Sequence, residues 1–147
     1  MKKWEAKSKE DKILYKYWSR VGEQLYAEVP IGGPGGNGNW PPECGIRRID
    51  GVRLVDFSNT EGIYNFRGAK DNFMHLIHEC SVELIEVKQK LNRLVIGQII
   101  AGADMFERQY KVKPDRLVIL CAKGDSALEW VCEKRGISVE IEKLEDG

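Results

Sequence analysis

Apolar positions along the chain change their period several times, and each change marks an element. Leu14, Trp18 and Val21 recur at i, i+4 and i+7, which predicts a helix over 9–21. Ser8 with Asp11 three residues on makes a partial capping box at its start, and Gly22 is a natural stop. From Gln24 to Ile31 the period falls to two. Leu25, Ala27, Val29 and Ile31 then share one face, with Tyr26 and Glu28 on the other. A strand resumes from Arg47 to Phe57 through Ile49, Val52, Leu54, Val55 and Phe57. Residues 59–68 read as turn, and 69–79 as a short helix on the modest stripe Phe73, Leu76, Ile77. Val82–Lys88 is apolar on both faces at its start, as a central strand is. Leu94 to Tyr110 carries Ile96, Ile99, Ile100, Ala103 and Phe106 at helical spacing, and Pro114 breaks it. Arg116 to Ala122 reads as a buried strand. Ser126 to Lys134 reads as a helix capped by Asp125 and ended by Gly136, and Ile137, Val139 and Ile141 alternate in a last strand.

That order, with strands and helices alternating in the second half, requires crossover connections. It predicts an α/β chain of the mixed α+β kind: a central mixed sheet flanked by helices on both faces, with the first two strands as an antiparallel hairpin. The length of 147 residues fits a single domain over 1–147. The Gly- and Pro-dense segment 32–45 reads as a mobile loop within that domain, and its Trp40 is a candidate for contact with a base or sugar.

Composition narrows the function classes. An apolar fraction of 42% with 31% charged residues describes a folded, soluble chain. No apolar run is long enough to span a membrane, and the start of the chain lacks the apolar stretch of a signal peptide, so the expected compartment is the cytoplasm. Net charge is zero, so a nucleic-acid partner would be met by local patches: Lys88, Lys90, Arg93 and the cluster Lys2, Lys3, Lys7. Cys44, Cys80, Cys121 and Cys132 form no Cys-x-x-Cys pair, and His75 and His78 are far from them in sequence, which argues against a zinc or iron–sulfur site. The glycines at 32–38 are too proline-broken for a dinucleotide fingerprint, and no Ser/His/Asp set is evident.

Candidate chemistry centres on the Val82–Lys88 strand. Alternation places Glu86 and Lys88 on one face, an acid for a metal ion beside a cation. Asp50, on an earlier strand, is the natural second acid. Mg²⁺ takes oxygen ligands and keeps several waters, so two or three acids suffice, and the Val87 carbonyl is a further oxygen between Glu86 and Lys88. Lys88 would serve the attacking water or the scissile phosphate. Glu10 lies one turn before Leu14 on the buried stripe, with Asp11 as its alternative, and Asp56 is the rival of Asp50. Gln98, in an apolar helix, would orient Lys88 or contact phosphate. Each has a plainer reading: Glu86 with Lys88 as a surface ion pair, Asp50-Gly51 as a hairpin turn, Glu10 as a helix N-terminal acid, Gln98 as an ordinary polar helix position.

Together these pieces resemble the PD-(D/E)XK nuclease superfamily, and within it the archaeal Holliday junction resolvase-like and RecB-like members. The matching pieces are Glu10 near a helix start, Asp50 in Arg48-Ile49-Asp50-Gly51, Glu86-Val87-Lys88 and Gln98 in Ile96-Gly97-Gln98. Ile49 stands where the motif has Pro, and the long spacing from Asp50 to Glu86 makes 58–80 an insertion by comparison with the compact resolvases. The resemblance implies a restriction endonuclease-like fold and Mg²⁺- or Mn²⁺-dependent cleavage of DNA. Asp50, Glu86, Glu10 and the Val87 carbonyl would hold metal, with Lys88 and Gln98 in support. A homodimer is implied by the resolvase likeness. The alternative is a nuclease-fold binding or assembly subunit without catalytic activity.

Overall fold

The structure, a computed structural model, describes residues 4–55 and 61–144. Its elements in chain order are α1 (Lys9–Val21), β1 (Gln24–Gly32), a short 3₁₀ turn (Gly36–Gly38), β2 (Ile46–Val55), β3 (Gly62–Asn65), α2 (Phe66–Leu76), β4 (Ser81–Lys90), α3 (Arg93–Tyr110), β5 (Arg116–Lys123), α4 (Ser126–Lys134) and β6 (Ile137–Ile141). The six strands form one mixed sheet in the order β3-β1-β2-β4-β5-β6. β2 runs antiparallel to both β1 and β4, while the β1–β3, β4–β5 and β5–β6 pairs are parallel. This is the expected architecture, a restriction endonuclease-like mixed sheet flanked by helices.

Two layers of side chains sandwich the sheet. On one face Ile13, Leu14 and Tyr17 of α1 pack against Leu25, Ala27, Ile85, Val87, Val118 and Leu120. On the other, α2 and α3 cover Tyr26, Val29, Ile49, Val52 and Leu84, with Phe73, Phe106 and Tyr110 in edge and tilted ring contacts. α3 and α4 close the same face over Ile119 and Cys121. Among the described residues no helix is long and apolar enough to cross a membrane.

Local signals set the helix ends. The Ser8 side chain accepts from the Asp11 N–H and the Asp11 carboxylate accepts from the Ser8 N–H, a complete capping box. Asn92 and Asp125 cap α3 and α4 in the same way, each accepting from the residue three positions on. α1 is also clamped to the sheet by charge. Glu83, 2% exposed, accepts from Tyr17 Oη at 2.7 Å, from Arg53 Nε at 3.1 Å and from Arg116 at 3.1 Å. A buried carboxylate with three charged or polar donors is compensated, whereas one deprived of them is not.

One expectation needs correction. Residues 59–68 are not all turn: Gly62–Asn65 is an edge strand, and α2 starts at Phe66, with a non-helical break at Ala69. The described part of 58–80 supplies that strand and the core residues Phe66, Ala69, Phe73 and Ile77. The Gly- and Pro-dense segment 32–45 makes hydrogen bonds to α3. Gln109 accepts from the Gly32 N–H and from Trp40 Nε1, and Arg108 donates to Gly38 and Asn39 carbonyls. The Arg108 guanidinium lies 4.0 Å from the Trp40 ring centre, so that aromatic is engaged within the fold.

Candidate active site

The β2–β4 ladder runs from Val55↔Ser81 to Gly51↔Ile85 and stops there. At the next position side chains replace the backbone partners. The Val87 N–H donates to Asp50 Oδ2 at 2.8 Å, and the Asp50 N–H lies 3.4 Å from Glu86 Oε1. The two strands therefore fork around a pair of carboxylates. Asp50-Gly51 is strand interior, not a hairpin turn. Gly51 has a packing reason: a Cβ there would meet Leu25 at 3.2 Å and Leu14 at 3.5 Å, so its absence lets α1 lie close above the fork.

β1 breaks at the same level. Ala27 pairs with Gly51 and Val29 with Ile49, but Glu28 between them has φ 60°, the left-handed region that L residues avoid. The side-chain alternation inverts there. Leu25 and Ala27 face α1, whereas Val29 and Ile31 face α2 and α3, so the single apolar face expected for β1 is two half-faces. Non-glycine residues in such a conformation cluster at functional sites.

The inversion brings Glu28 into the site. A recess of about 130 Å³ is lined by Glu10, Asp11, Glu28, Asp50 and Val87. Glu10 comes from the first turn of α1, half-buried, while the Asp11 carboxylate is taken up by the capping box and the Lys7 N–H. Glu86 opens on the opposite side of the fork, into a groove of about 480 Å³ that it shares with Arg47, Arg48, Arg93 and Gln98. Gln98 and Arg93 are exposed on the α3 wall of that groove. Lys88 is half-buried and follows Glu86 by one alternation. Among the described residues no hydrogen bond or ion pair joins it to Asp50 or Glu86. Asp56, Lys2 and Lys3 lie outside the described residues.

Burial dominates the electrostatics. Desolvation pushes the Asp50 carboxyl up to about 6 against the pull of the Val87 N–H and the Glu86 hydrogen bond, with the Glu28 and Glu10 charges adding to the rise. Glu86 is pushed up to about 9, first by desolvation and then by the Asp50 charge. Glu28 is also raised by burial, and the Arg48 charge opposes that. Asp50 and Glu86 titrate as one system sharing a proton, because two adjacent carboxylates with no cation between them resist double ionisation. The donor set is hard oxygen, the type Mg²⁺ and Mn²⁺ accept, and Mg²⁺ is bound by one or two carboxylates plus waters. Among the described residues no group of three or more His, Cys, Asp or Glu side chains is gathered closely enough to hold a metal by itself. The fit is thus to a cation held by the Asp50–Glu86 pair and waters. His75 and His78 are both exposed, and the buried Cys121 and Cys132 sit in the apolar layer under α3 and α4.

Of the residues the sequence points to, Asp50, Glu86 and Glu10 come together around the fork; Glu28, Arg47 and Arg48, which the sequence does not single out, line the same recess and groove. Glu28 carries no signal beyond being an acid in an apolar strand, since its place in the recess depends on the inverted backbone.

No family profile matches this chain, and no curated protein is significantly similar to it. Among solved structures, the apo form of EndoMS is similar with a TM-score of 0.40 and 10% sequence identity. The likeness covers 70% of this chain and 55% of that one, so the chain spans about half the length of the structure it matches.

Proposed function

We propose that this protein is a divalent-metal-dependent nuclease that hydrolyses phosphodiester bonds in DNA, acting as an endonuclease on duplex or structured substrates. The single observation that carries the reading is the fork between β2 and β4. It buries two adjacent carboxylates, Asp50 and Glu86, and among the described residues neither is in an ion pair. Acids perturbed by burial and by a like charge in a cleft cluster at functional sites, which supports a ligand there.

A bound Mg²⁺ or Mn²⁺ would supply polarisation of the phosphate and a more acidic water. Asp50 and Glu86 would hold it, with the Val87 carbonyl as a further oxygen and Glu10 reaching it through water across the recess. Lys88, on the Glu86 side, would donate to the attacking water or to a non-bridging phosphate oxygen. Gln98 and Arg93 would hold the strand against the α3 wall. A homodimer would place two such sites on a branched substrate.

The test is cleavage of labelled linear duplex, single strand, flap, four-way junction and RNA, each with Mg²⁺, Mn²⁺ or EDTA, alongside Asp50→Ala and Lys88→Ala. Metal-dependent cutting lost in both variants is the expected result. A second reading, a binding or assembly subunit with this fold and no activity, is favoured by the lack of contact between Lys88 and the carboxylates. It predicts salt-sensitive DNA binding without cleavage of any substrate, unchanged in both variants.

A further inference from the structure

Beside the carboxylate fork lies a groove of about 890 Å³, between the outer face of the β1–β2 hairpin and the start of α2. Its floor is apolar, built from Pro30, Ile46 and Phe66, and Ile46 is 58% exposed. Its walls carry three cations, Arg48, Arg67 and Lys70, all exposed. None of the three is in an ion pair among the described residues, whereas Arg20, Arg53 and Arg116 are paired with Glu83, Glu140 and Glu142. The first turn of α2, which forms one wall, contains no acid.

The groove is continuous with the candidate active site through shared residues. Glu28 lines both it and the recess holding Asp50, and Arg48 lines both it and the groove holding Glu86. In a chain of zero net charge, three unpaired cations at one end of a carboxylate site are a local positive field next to a local negative one. A polyanion laid through the site would satisfy the first and, with its cation, the second.

We infer that Arg67 and Lys70, with Arg48 between them and the fork, form a phosphate-binding subsite that holds the nucleic-acid strand beside the bond to be cut. The inference rests on the nuclease reading for its ligand. Arg67 and Lys70 bind substrate and take no part in the chemistry. The ligand is a phosphate oxyanion of the strand, either an internal diester or a terminal monoester.

The experiment measures equilibrium binding by fluorescence anisotropy in EDTA, so that no cleavage occurs, across a salt series. The probes are a labelled single strand and duplex, each with a 5′-phosphate or a 5′-hydroxyl. The proteins are the wild type, Arg67→Ala, Lys70→Ala, the double variant, and Lys134→Ala on α4 beside the far edge strand. Each phosphate contact removed lowers the slope of log K against log salt by about 0.7 on single strand or about 0.9 on duplex. The double variant therefore loses about twice that, with Lys134→Ala unchanged. A loss on all probes assigns an internal diester, and a loss confined to the 5′-phosphorylated probes assigns a terminal monoester. Wild-type binding with the same slope in the double variant overturns the subsite and leaves the nuclease reading standing. Binding with the predicted slope loss, but no metal-dependent cleavage in the substrate panel, keeps the subsite and overturns the nuclease. No binding by the wild type overturns the subsite outright.

Discussion

Replacing Glu86 by Gln should stabilise this protein, which is unusual for a buried hydrogen-bonded side chain. The folded chain raises the Glu86 carboxyl from its ordinary 4.5 to about 9, chiefly by desolvation and then by the Asp50 charge. A group whose folded-state pKa lies above its unfolded value contributes stability that is complete below the unfolded value. That contribution is lost as pH rises through the folded value. In EDTA the wild type should therefore lose stability steadily from about pH 4.5 towards pH 9. At pH 7 the cost of holding Glu86 in place is on the order of 3 kcal/mol, at about 1.36 kcal/mol per pH unit above the unfolded value. With about 2.1 cal/mol/K of unfolding entropy per residue, a chain of this size shifts its Tm by about 10 °C for that amount. Glu86→Gln keeps the shape and removes the charge, so its Tm at pH 7 in EDTA should exceed that of the wild type by several degrees, and the gap should close near pH 4. A divalent cation narrows the gap. At ten times a Kd of about 1 mM, binding adds roughly 1.4 kcal/mol, or about 5 °C, to the wild type and little to the variant. The assay is differential scanning fluorimetry over a pH series with EDTA, Mg²⁺ or Mn²⁺. A Glu86→Gln protein less stable than wild type at pH 8 in EDTA, or equal metal shifts in both proteins, would refute the reasoning.

Other expectations follow from the same geometry. Arg53→Leu removes two hydrogen bonds from the buried Glu83 and should cost about 3–5 kcal/mol by urea denaturation; a cost under 1 kcal/mol would mean that Tyr17 and Arg116 compensate the charge alone. Gly51→Val forces a branched side chain against Leu25 and Leu14 and should destabilise by about 1–3 kcal/mol, and wild-type stability would show that α1 can move away from the fork. Glu28→Gly relieves the positive φ and should raise stability by up to about 1 kcal/mol, and a loss would indicate that the Glu28 side chain supports the break in β1. Ser8→Ala removes half of the α1 capping box and should cost about 1 kcal/mol, measured in the same denaturant series.

The sequence by itself determined the parts of this protein that depend on near neighbours. α1 over 9–21 and α4 over 126–134 begin and end where their caps and glycines say, because capping is a matter of three or four consecutive residues. The strands β4, β5 and β6 follow from period and apolar content, and their parallel pairing follows from the helices between them. The pairing of Asp50 with Glu86 was legible as two strand acids suited to one cation and as a resemblance in motif order, but not as a contact, because the residues sit far apart in the chain.

Tertiary structure decided the rest. No local pattern announces that the β2–β4 ladder ends at Gly51↔Ile85, yet that ending turns two strand acids into a facing pair. Glu28 looks like an ordinary outward residue until its positive φ inverts β1, an inversion whose cost only the surrounding sheet can offset. Glu83 reads like any charged strand position until Tyr17, Arg53 and Arg116 arrive from three other elements to satisfy it. β3 is four residues long, too short for periodicity to show, and exists because β1 offers it an edge. Local propensity is read from consecutive residues, but a site is made by residues brought together from distant parts of the chain, and the balance of burial and charge that brings them there is a property of the folded whole.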